Sequence, residues 1–169
     1  MSHDIEVTML NKNVQQWLDA YGVSHQNPTN KLIHWLCVPV IVWTVLALLW
    51  HLQLPQLPLV NGATVLMLVS LAFYFRLSPP LALGMIVVTA INWGIIEWHL
   101  ATVAVPLWQT ALLLFVIAWV VQFVGHKIEG AKPSFLEDVQ FLLIGPIWLL
   151  SFIYQKLGIN YQPKPVSAN

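Results

Sequence analysis

The sequence predicts an all-α, polytopic membrane protein. We expect a helical bundle with four full spans, a kinked or re-entrant fifth apolar helix and a short amphipathic N-terminal helix. Two observations predict this class. Hydrophobic residues make up 58% of the 169 residues and charged residues only 8%, whereas a soluble domain carries roughly 25% charged residues. The apolar residues also gather in long runs, and a helix needs about 20 such residues to cross a bilayer.

The elements follow from these runs and from the polar residues between them. Residues Asn11–Tyr21 have the spacing of an amphipathic helix that lies at the membrane surface or on the protein's own cytosolic rim, with an apolar face of Val14, Trp17, Leu18 and Tyr21. The five apolar runs are Leu32–Leu54, Leu59–Phe75, Leu81–Ile96, Val105–Val124 and Val139–Tyr154. We expect one integral membrane domain over residues 1–161 and a disordered tail over 162–169.

The fifth run holds the pair Gly145-Pro146 in its middle. Proline removes a backbone hydrogen bond inside a helix, so this run either spans with a kink or enters the membrane and returns. Basic residues favour the cytoplasmic side. With the N-terminus inside, Lys and Arg at 12, 31, 76, 127 and 132 all lie inside, and Lys156 and Lys164 join them only if the fifth run is re-entrant. We therefore favour four spans and a broken fifth element.

Charge and cysteine content exclude several functions. Seven basic residues balance seven acidic ones, so the chain lacks the basic surface that would bind nucleic acid. The single cysteine, Cys37, excludes an internal disulfide and a cysteine-rich metal site. The sequence makes no prediction of oligomeric state.

The first polar stretch runs from Ser24 to His34. Asn27 followed by Pro28 is typical of the N-cap and the first residue of a helix. A helix that begins there places Asn27, Asn30 and His34 on one face. His25 precedes the cap and can fold back toward that face.

The second polar stretch ends the fourth apolar run. Gln122, His126 and Glu129 share a helical face, and Gly130 is a typical helix terminator. Residues Ser134 to Glu137 match a capping box for the next helix. We therefore expect a tight turn at residues 130–133.

The predicted topology brings these two stretches together. His25 and His34 lie at the inner end of the first span, and His126 and Glu129 at the inner end of the fourth. Three histidines and a carboxylate at one depth have the composition of a non-haem iron or zinc site. A cluster that only hydrogen-bonds two helix ends is the structural alternative.

The remaining histidines are expected to lie elsewhere. His51 and His99 fall at the opposite ends of their spans, about 30 Å away across the hydrocarbon, and His3 is in the N-terminal segment.

Both polar stretches resemble the motifs of a known family. His25 to His34 (HQNPTNKLIH), followed by Pro39, is similar to the first motif, and Gln122 to Pro133 (QFVGHKIEGAKP) is similar to the second. Gly145-Pro146 matches a pair of a small residue and proline in the last apolar segment. The family is the Fe(II)-dependent 2-hydroxy fatty acid dioxygenases of the yeast endoplasmic reticulum and of bacteria. The likeness covers about Tyr21–Leu157.

The resemblance implies an oxidoreductase that carries out α-oxidation, in which a 2-hydroxy fatty acid and O2 give a fatty acid one carbon shorter. It implies that His25, His34 and His126 bind iron or are otherwise essential. We expect them to hold Fe(II), with Glu129 as a fourth ligand or as a partner of the ligands. Polar neighbours are expected to orient ligands or to attract the substrate carboxylate; these are Asn27, Asn30, Gln122, Lys31 and Lys127. The expected location is the bacterial inner membrane, or the endoplasmic reticulum if the protein is eukaryotic, with the N-terminus and the site on the cytoplasmic side.

Other functions fit parts of the sequence. One is a different metal-dependent membrane lipid enzyme, such as a hydroxylase, although the histidine clusters HxxxH and HxxHH do not occur here. Another is a non-catalytic membrane protein with a structural histidine cluster. A transporter would need polar residues through the bilayer, and the segment between His34 and His51 offers almost none except Thr44.

Overall fold

The computed structural model of the protein describes residues 12–54, 56–134 and 140–162. Within these ranges it contains six α-helices and one two-stranded antiparallel hairpin. In chain order the elements are α1 (Val14–Gly22), α2 (Pro28–Leu49), β1 (Gln53–Leu54), β2 (Leu57–Asn61), α3 (Gly62–Leu77), α4 (Pro79–Thr102), α5 (Leu107–Glu129) and α6 (Phe141–Lys156). The helical class, the amphipathic helix and the five apolar helices are confirmed.

The ends of the two helices that carry polar stretches are those that the sequence predicts. The Asn27 side chain accepts a hydrogen bond from the Thr29 N–H, and Pro28 is the first residue of α2. Gly130, with a φ of 75°, ends α5 in the left-handed conformation that glycine tolerates best.

The prediction that the first apolar run is helical to Leu54 is wrong at its end. Helix α2 stops at Leu49, and the chain turns into β1, whose Gln53 pairs with Asn61 of β2. The sequence explains this break, because Pro55 and Pro58 cannot continue a helix. The hairpin then leads directly into α3, since Asn61 forms a capping box with Thr64.

Among the described residues, three helices are long and apolar enough to cross a membrane: α2 with 22 residues, α4 with 24 and α5 with 23. Helices α3 and α6 have 16 residues each, about 24 Å, which is less than the hydrocarbon thickness of about 30 Å. The predicted count of four full spans is therefore not confirmed.

Helix α4 continues past the predicted end at Ile96 because His99 turns inward, where its Nε2 and the Thr110 hydroxyl are hydrogen-bonded at 3.0 Å.

Helix α2 is the central element. It packs along α5 in the most extensive helix pair and also contacts α3, α4 and α6. One core lies around α1, α6 and the start of α4, and a second lies at the far ends of α2, α4 and α5, around Trp43, Trp50 and Ile96. The polar residues of the two stretches border the first core.

Helix α6 lies across one end of the α3–α4 pair. Near its start, the Leu143 carbonyl accepts a hydrogen bond from Tyr74 at the end of α3. Near its end, the Tyr154 hydroxyl donates to the carbonyl of Pro80 at the start of α4. Both contacts are made at the end where α3 passes into α4.

Helix α1 packs on α6 with the face that the sequence predicts, through Trp17 and Tyr21 against Phe141.

Several predictions fall outside the described residues. These concern His3, Glu137 in the expected capping box, and the tail beyond residue 162. The Ser134 hydroxyl, expected in a capping box, contacts the Ser24 hydroxyl at 2.6 Å instead.

Candidate metal centre

Three histidines from three different segments meet beside the first core. His25 follows α1, His34 lies in the second turn of α2, and His126 lies in the last turns of α5. One nitrogen from each ring lies within 4.8 Å of the corresponding nitrogens of the other two, and all three residues are buried. The ring centroids are 4.2 Å apart for His25 and His34, 5.0 Å for His25 and His126, and 4.9 Å for His34 and His126.

The hydrogen bonds of two rings fix which nitrogen is free. His25 Nδ1 lies 2.6 Å from the Tyr21 carbonyl, and His34 Nδ1 lies 2.9 Å from the Asn30 carbonyl. A carbonyl only accepts, so both Nδ1 atoms carry the proton and both Nε2 atoms have a lone pair, as in histidines that bind metals. His25 Nε2 is buried and has no hydrogen-bond partner.

The environment also keeps the His25 ring neutral. Burial, with a further contribution from His34, lowers the pKa of His25 to about 3. The His25 ring is therefore uncharged at neutral pH, which is the form that binds a metal ion. His126 Nδ1 is likewise buried without a hydrogen-bond partner.

Glu129 ties the segment that carries His25 to the end of α5. Its Oε1 accepts from the Gln26 N–H at 2.8 Å, and its Oε2 accepts from the Asn27 N–H at 2.8 Å and from Asn30 Nδ2 at 3.1 Å. These donors form the N-terminus of α2, where a negative charge is stabilised. Glu129 thus lies outside the group of three histidine nitrogens, next to the backbone that positions His25.

Asn30 joins the same network from inside α2. It is fully buried, and its Nδ2 donates both to Glu129 and to the Ser24 carbonyl at 3.1 Å. Two further predicted residues, Asn27 and Lys127, do not line the cavity beside the rings. Asn27 caps α2 and is half-buried, and Lys127 is exposed.

A cavity of about 50 Å³ opens beside the three rings. Its polar wall includes Gln122, one of the predicted site residues. It also includes Tyr21 and Ser134, for which the sequence predicted other roles. Tyr21 stacks on His25 with ring centroids 4.2 Å apart and an interplanar angle of 12°. Burial raises the pKa of its hydroxyl, so the group stays protonated and can donate. In the sequence, the available signal for Tyr21 as a site residue is its position four residues before His25.

A second, more polar cavity of about 270 Å³ lies on the other side of His25. Lys31 lines it, together with Asp19, Gln26 and Gln155. The predicted cation Lys31 therefore faces a different cavity from the one that holds Gln122. His25 borders both cavities.

The three histidines fit a metal ion. Three imidazole nitrogens that each lie roughly 2.1 Å from one ion in a tetrahedral site are roughly 3.4 Å apart. The observed nitrogens lie within 4.8 Å of one another, so they must approach one another by at most about 1.4 Å. The two buried nitrogens without partners, His25 Nε2 and His126 Nδ1, are the atoms that such an ion would satisfy. Three imidazoles suit iron, zinc or copper.

Comparisons with known proteins confirm the family that the two histidine motifs resemble. The chain is 28% identical over 149 residues to the 2-hydroxy-palmitic acid dioxygenase MPO1 of Saccharomyces cerevisiae, a match that covers 86% of this chain and 82% of the yeast protein. No solved structure matches the chain significantly. The model of the family described as 2-hydroxy-palmitic acid dioxygenase Mpo1-like matches residues 11–157, and the protein belongs to this family.

Proposed function

We propose that the protein is a membrane-embedded, Fe(II)-dependent dioxygenase that converts 2-hydroxy fatty acids by α-oxidation into fatty acids one carbon shorter. The observation that carries the proposal is the buried group of His25, His34 and His126, in a chain of the 2-hydroxy-palmitic acid dioxygenase family.

His25, His34 and His126 would hold the iron. When bound, Fe(II) supplies the activation of O2 and the polarisation of the substrate's oxygen atoms. The protein keeps two of the rings in one tautomer through the carbonyls of Tyr21 and Asn30. Three protein ligands leave coordination positions for substrate and O2.

Glu129 acts as a positioning residue in this proposal, not as a fourth ligand. Its two oxygens already accept three hydrogen bonds from the N-terminus of α2 and from Asn30. A carboxylate that turned toward the rings would leave the Gln26 and Asn27 N–H groups without their acceptor. Its contribution is to hold the His25 segment against α5.

The overall reaction balances without an external reductant. A 2-hydroxy acid, RCH(OH)COOH, and O2 have the same atoms as RCOOH, CO2 and H2O together. The two carbons of the head group lose four electrons, and O2 accepts four.

The polar wall of the cavity offers the hydroxyls of Tyr21 and Ser134 and the amide of Gln122 as hydrogen-bonding groups for the carboxylate and the 2-hydroxyl group.

The membrane placement follows from the helices. We place α2, α3, α4 and α5 across the bilayer, because His34 at the start of α2 and His126 at the end of α5 lie together and four crossings return the chain to the same side. Helix α6 then lies in the leaflet on that side, and its contacts to Tyr74 and Pro80 support this placement. The six basic residues within the described ranges then lie on that side, which the distribution of positive charge makes the cytoplasmic one.

A structural histidine cluster is the main competing function. Such a cluster would join the helix ends by hydrogen bonds between the rings and their neighbours. His25 Nε2 and His126 Nδ1 are instead buried without partners, a costly arrangement that a bound ion removes.

The test is anaerobic loading of the purified protein with Fe(II), followed by O2 and 2-hydroxyhexadecanoate, with the products identified by mass spectrometry. We expect about one iron per chain and pentadecanoate as product. His126→Ala should lose both, whereas His51→Ala, a histidine in an exposed turn, should keep both. Equal iron content and turnover in His126→Ala and the unmodified protein would refute the assignment.

A further inference from the structure

The cavity beside the three histidines continues along α2 toward the middle of the bilayer. From His34 its wall follows Val38, Ile41 and Val42, which are four, seven and eight residues farther along the helix. At 1.5 Å per residue this is a depth of about 12 Å. The cavity thus has polar groups at the histidine end and an apolar wall beyond it.

The apolar part lies between α5 and α6. Trp119 of α5 and Leu142 and Pro146 of α6 line it. Both helices pack on α2, but over the described residues they do not form a packed pair with each other. Leu142 is 46% exposed, so the cavity reaches the outer surface of the bundle at this residue.

The cavity is too small for a long acyl chain. One water molecule takes up roughly 10–15 Å³ of such a cavity, so about 50 Å³ has room for only a few atoms. A substrate whose head group lies at the histidines must therefore extend its chain out of the cavity. The exposed side chain at Leu142 marks where the apolar wall continues into the lipid-facing surface.

We propose that the substrate enters sideways from the bilayer between α5 and α6. Its head group and first carbons occupy the cavity, while the rest of the chain lies against Trp119 and Leu142 and continues into the lipid. This inference rests on the proposed function and names its substrate route. An entry route of this kind makes the protein selective for 2-hydroxy acids with a long alkyl chain and tolerant of additional chain length.

The first experiment maps the chain without requiring turnover. The protein is reconstituted in phosphatidylcholine vesicles with 2-hydroxyhexadecanoic acid that carries a photoreactive diazirine in mid-chain. After irradiation, peptide mass spectrometry should find adducts on Leu142 or Trp119 that excess unlabelled 2-hydroxyhexadecanoate removes. Competable adducts confined to residues of the second cavity, such as Gln155, would overturn the route, as would an absence of competable adducts.

The second experiment blocks the opening. In a Cys37→Ala background, Leu142→Cys is compared with Leu113→Cys, which is 62% exposed on α5 and does not line the cavity. Alkylation with a bulky maleimide at position 142 should lower kcat/KM for 2-hydroxyhexadecanoate about tenfold, the loss expected from displacing about two methylene groups from their contacts. Turnover of 2-hydroxybutanoate, which has almost no chain, should change less than the long-chain turnover, and alkylation at position 113 should affect neither.

The two hypotheses fail in different ways. If alkylation at position 142 leaves long-chain turnover unchanged, or lowers the turnover of both substrates equally, the entry route is wrong. The proposed dioxygenase activity is not affected by that result. If the unmodified iron-loaded protein converts neither substrate, the proposed function is wrong, and the photochemical map alone then decides the route.

Discussion

The side-chain oxygen of Asn30 lies where a Cβ atom on residue 125 would be placed, so α2 and α5 meet with only the hydrogen atom of Gly125 between them. Small residues allow helices in membranes to approach this closely. His126 follows Gly125 directly, and His34 lies one turn beyond Asn30. The distance between two of the three rings is therefore set at this crossing.

We predict that Gly125→Ala separates α2 from α5 and weakens metal binding. The new methyl group would overlap Asn30 Oδ1 and press on Ile33, and overpacking of this kind costs about 1–3 kcal/mol. Thermal unfolding in detergent and iron content per chain are the measurements. Gly94→Ala is the matched control, because nothing lies within 4 Å of the position of its Cβ, and its stability should stay the same or rise slightly.

Replacing Glu129 by glutamine should lower iron affinity without removing a ligand. The amide keeps one acceptor oxygen but loses the negative charge that faces the Gln26 and Asn27 N–H groups. Loss of such a partner typically reduces metal affinity about 10–100-fold. Titration with Fe(II) measures the affinity, and the absorption spectrum of the Co(II)-substituted protein reports the ligand set. A spectrum altered in the way that His126→Ala alters it would instead make Glu129 a ligand.

The Tyr21 hydroxyl should serve turnover and leave metal binding unchanged. Tyr21→Phe keeps the ring that stacks on His25 but removes the hydroxyl group at the cavity wall. We expect unchanged iron content and a fall in kcat/KM of about tenfold, the effect of losing one hydrogen bond to a charged group. Tyr21→Ala, which also removes the stacked ring, should reduce iron binding as well. An unchanged kcat/KM in Tyr21→Phe would exclude the hydroxyl from substrate binding.

The buried histidine at the other end of the molecule should matter only for stability. His99 is 4% exposed and is hydrogen-bonded to Thr110. Thr110→Val removes this partner and leaves a buried ring nitrogen unsatisfied, at a cost of about 1–3 kcal/mol. Unfolding temperature should fall while iron content and kcat/KM, measured where the variant is folded, stay unchanged. Loss of iron in the folded variant would mean that the two ends of the bundle are coupled.

The local parts of the site could be predicted from the sequence because they depend on neighbouring residues. Asn27 and Pro28 fix where α2 begins, and the spacing from Asn27 to His34 then sets the face on which the histidine lies. Gly130 fixes where α5 ends. The approach of His25, His34 and His126 follows once both helices are placed at the same side of the membrane.

The remaining parts depend on contacts between distant segments. The pairing of Ser24 with Ser134, the hydrogen bond of Tyr74 to Leu143, and the cavity lined by Tyr21 each join residues from different helices. Hydropathy treats a helix that crosses the bilayer and one that lies within a leaflet alike, so it left the course of α6 open. It also extended α2 to Leu54, because an apolar strand and an apolar helix have the same composition.

The network around Glu129 has a consequence for how the protein is made. Gln26 and Asn27 precede Glu129, whose carboxylate accepts their hydrogen bonds, by 103 and 102 residues. The loop that carries His25 therefore lacks these hydrogen bonds until the end of α5 has been synthesised and inserted. A nascent chain that ends before His126 contains only two of the three histidines. Under the proposed function, the complete set of three ligands therefore exists only after α5 has been synthesised.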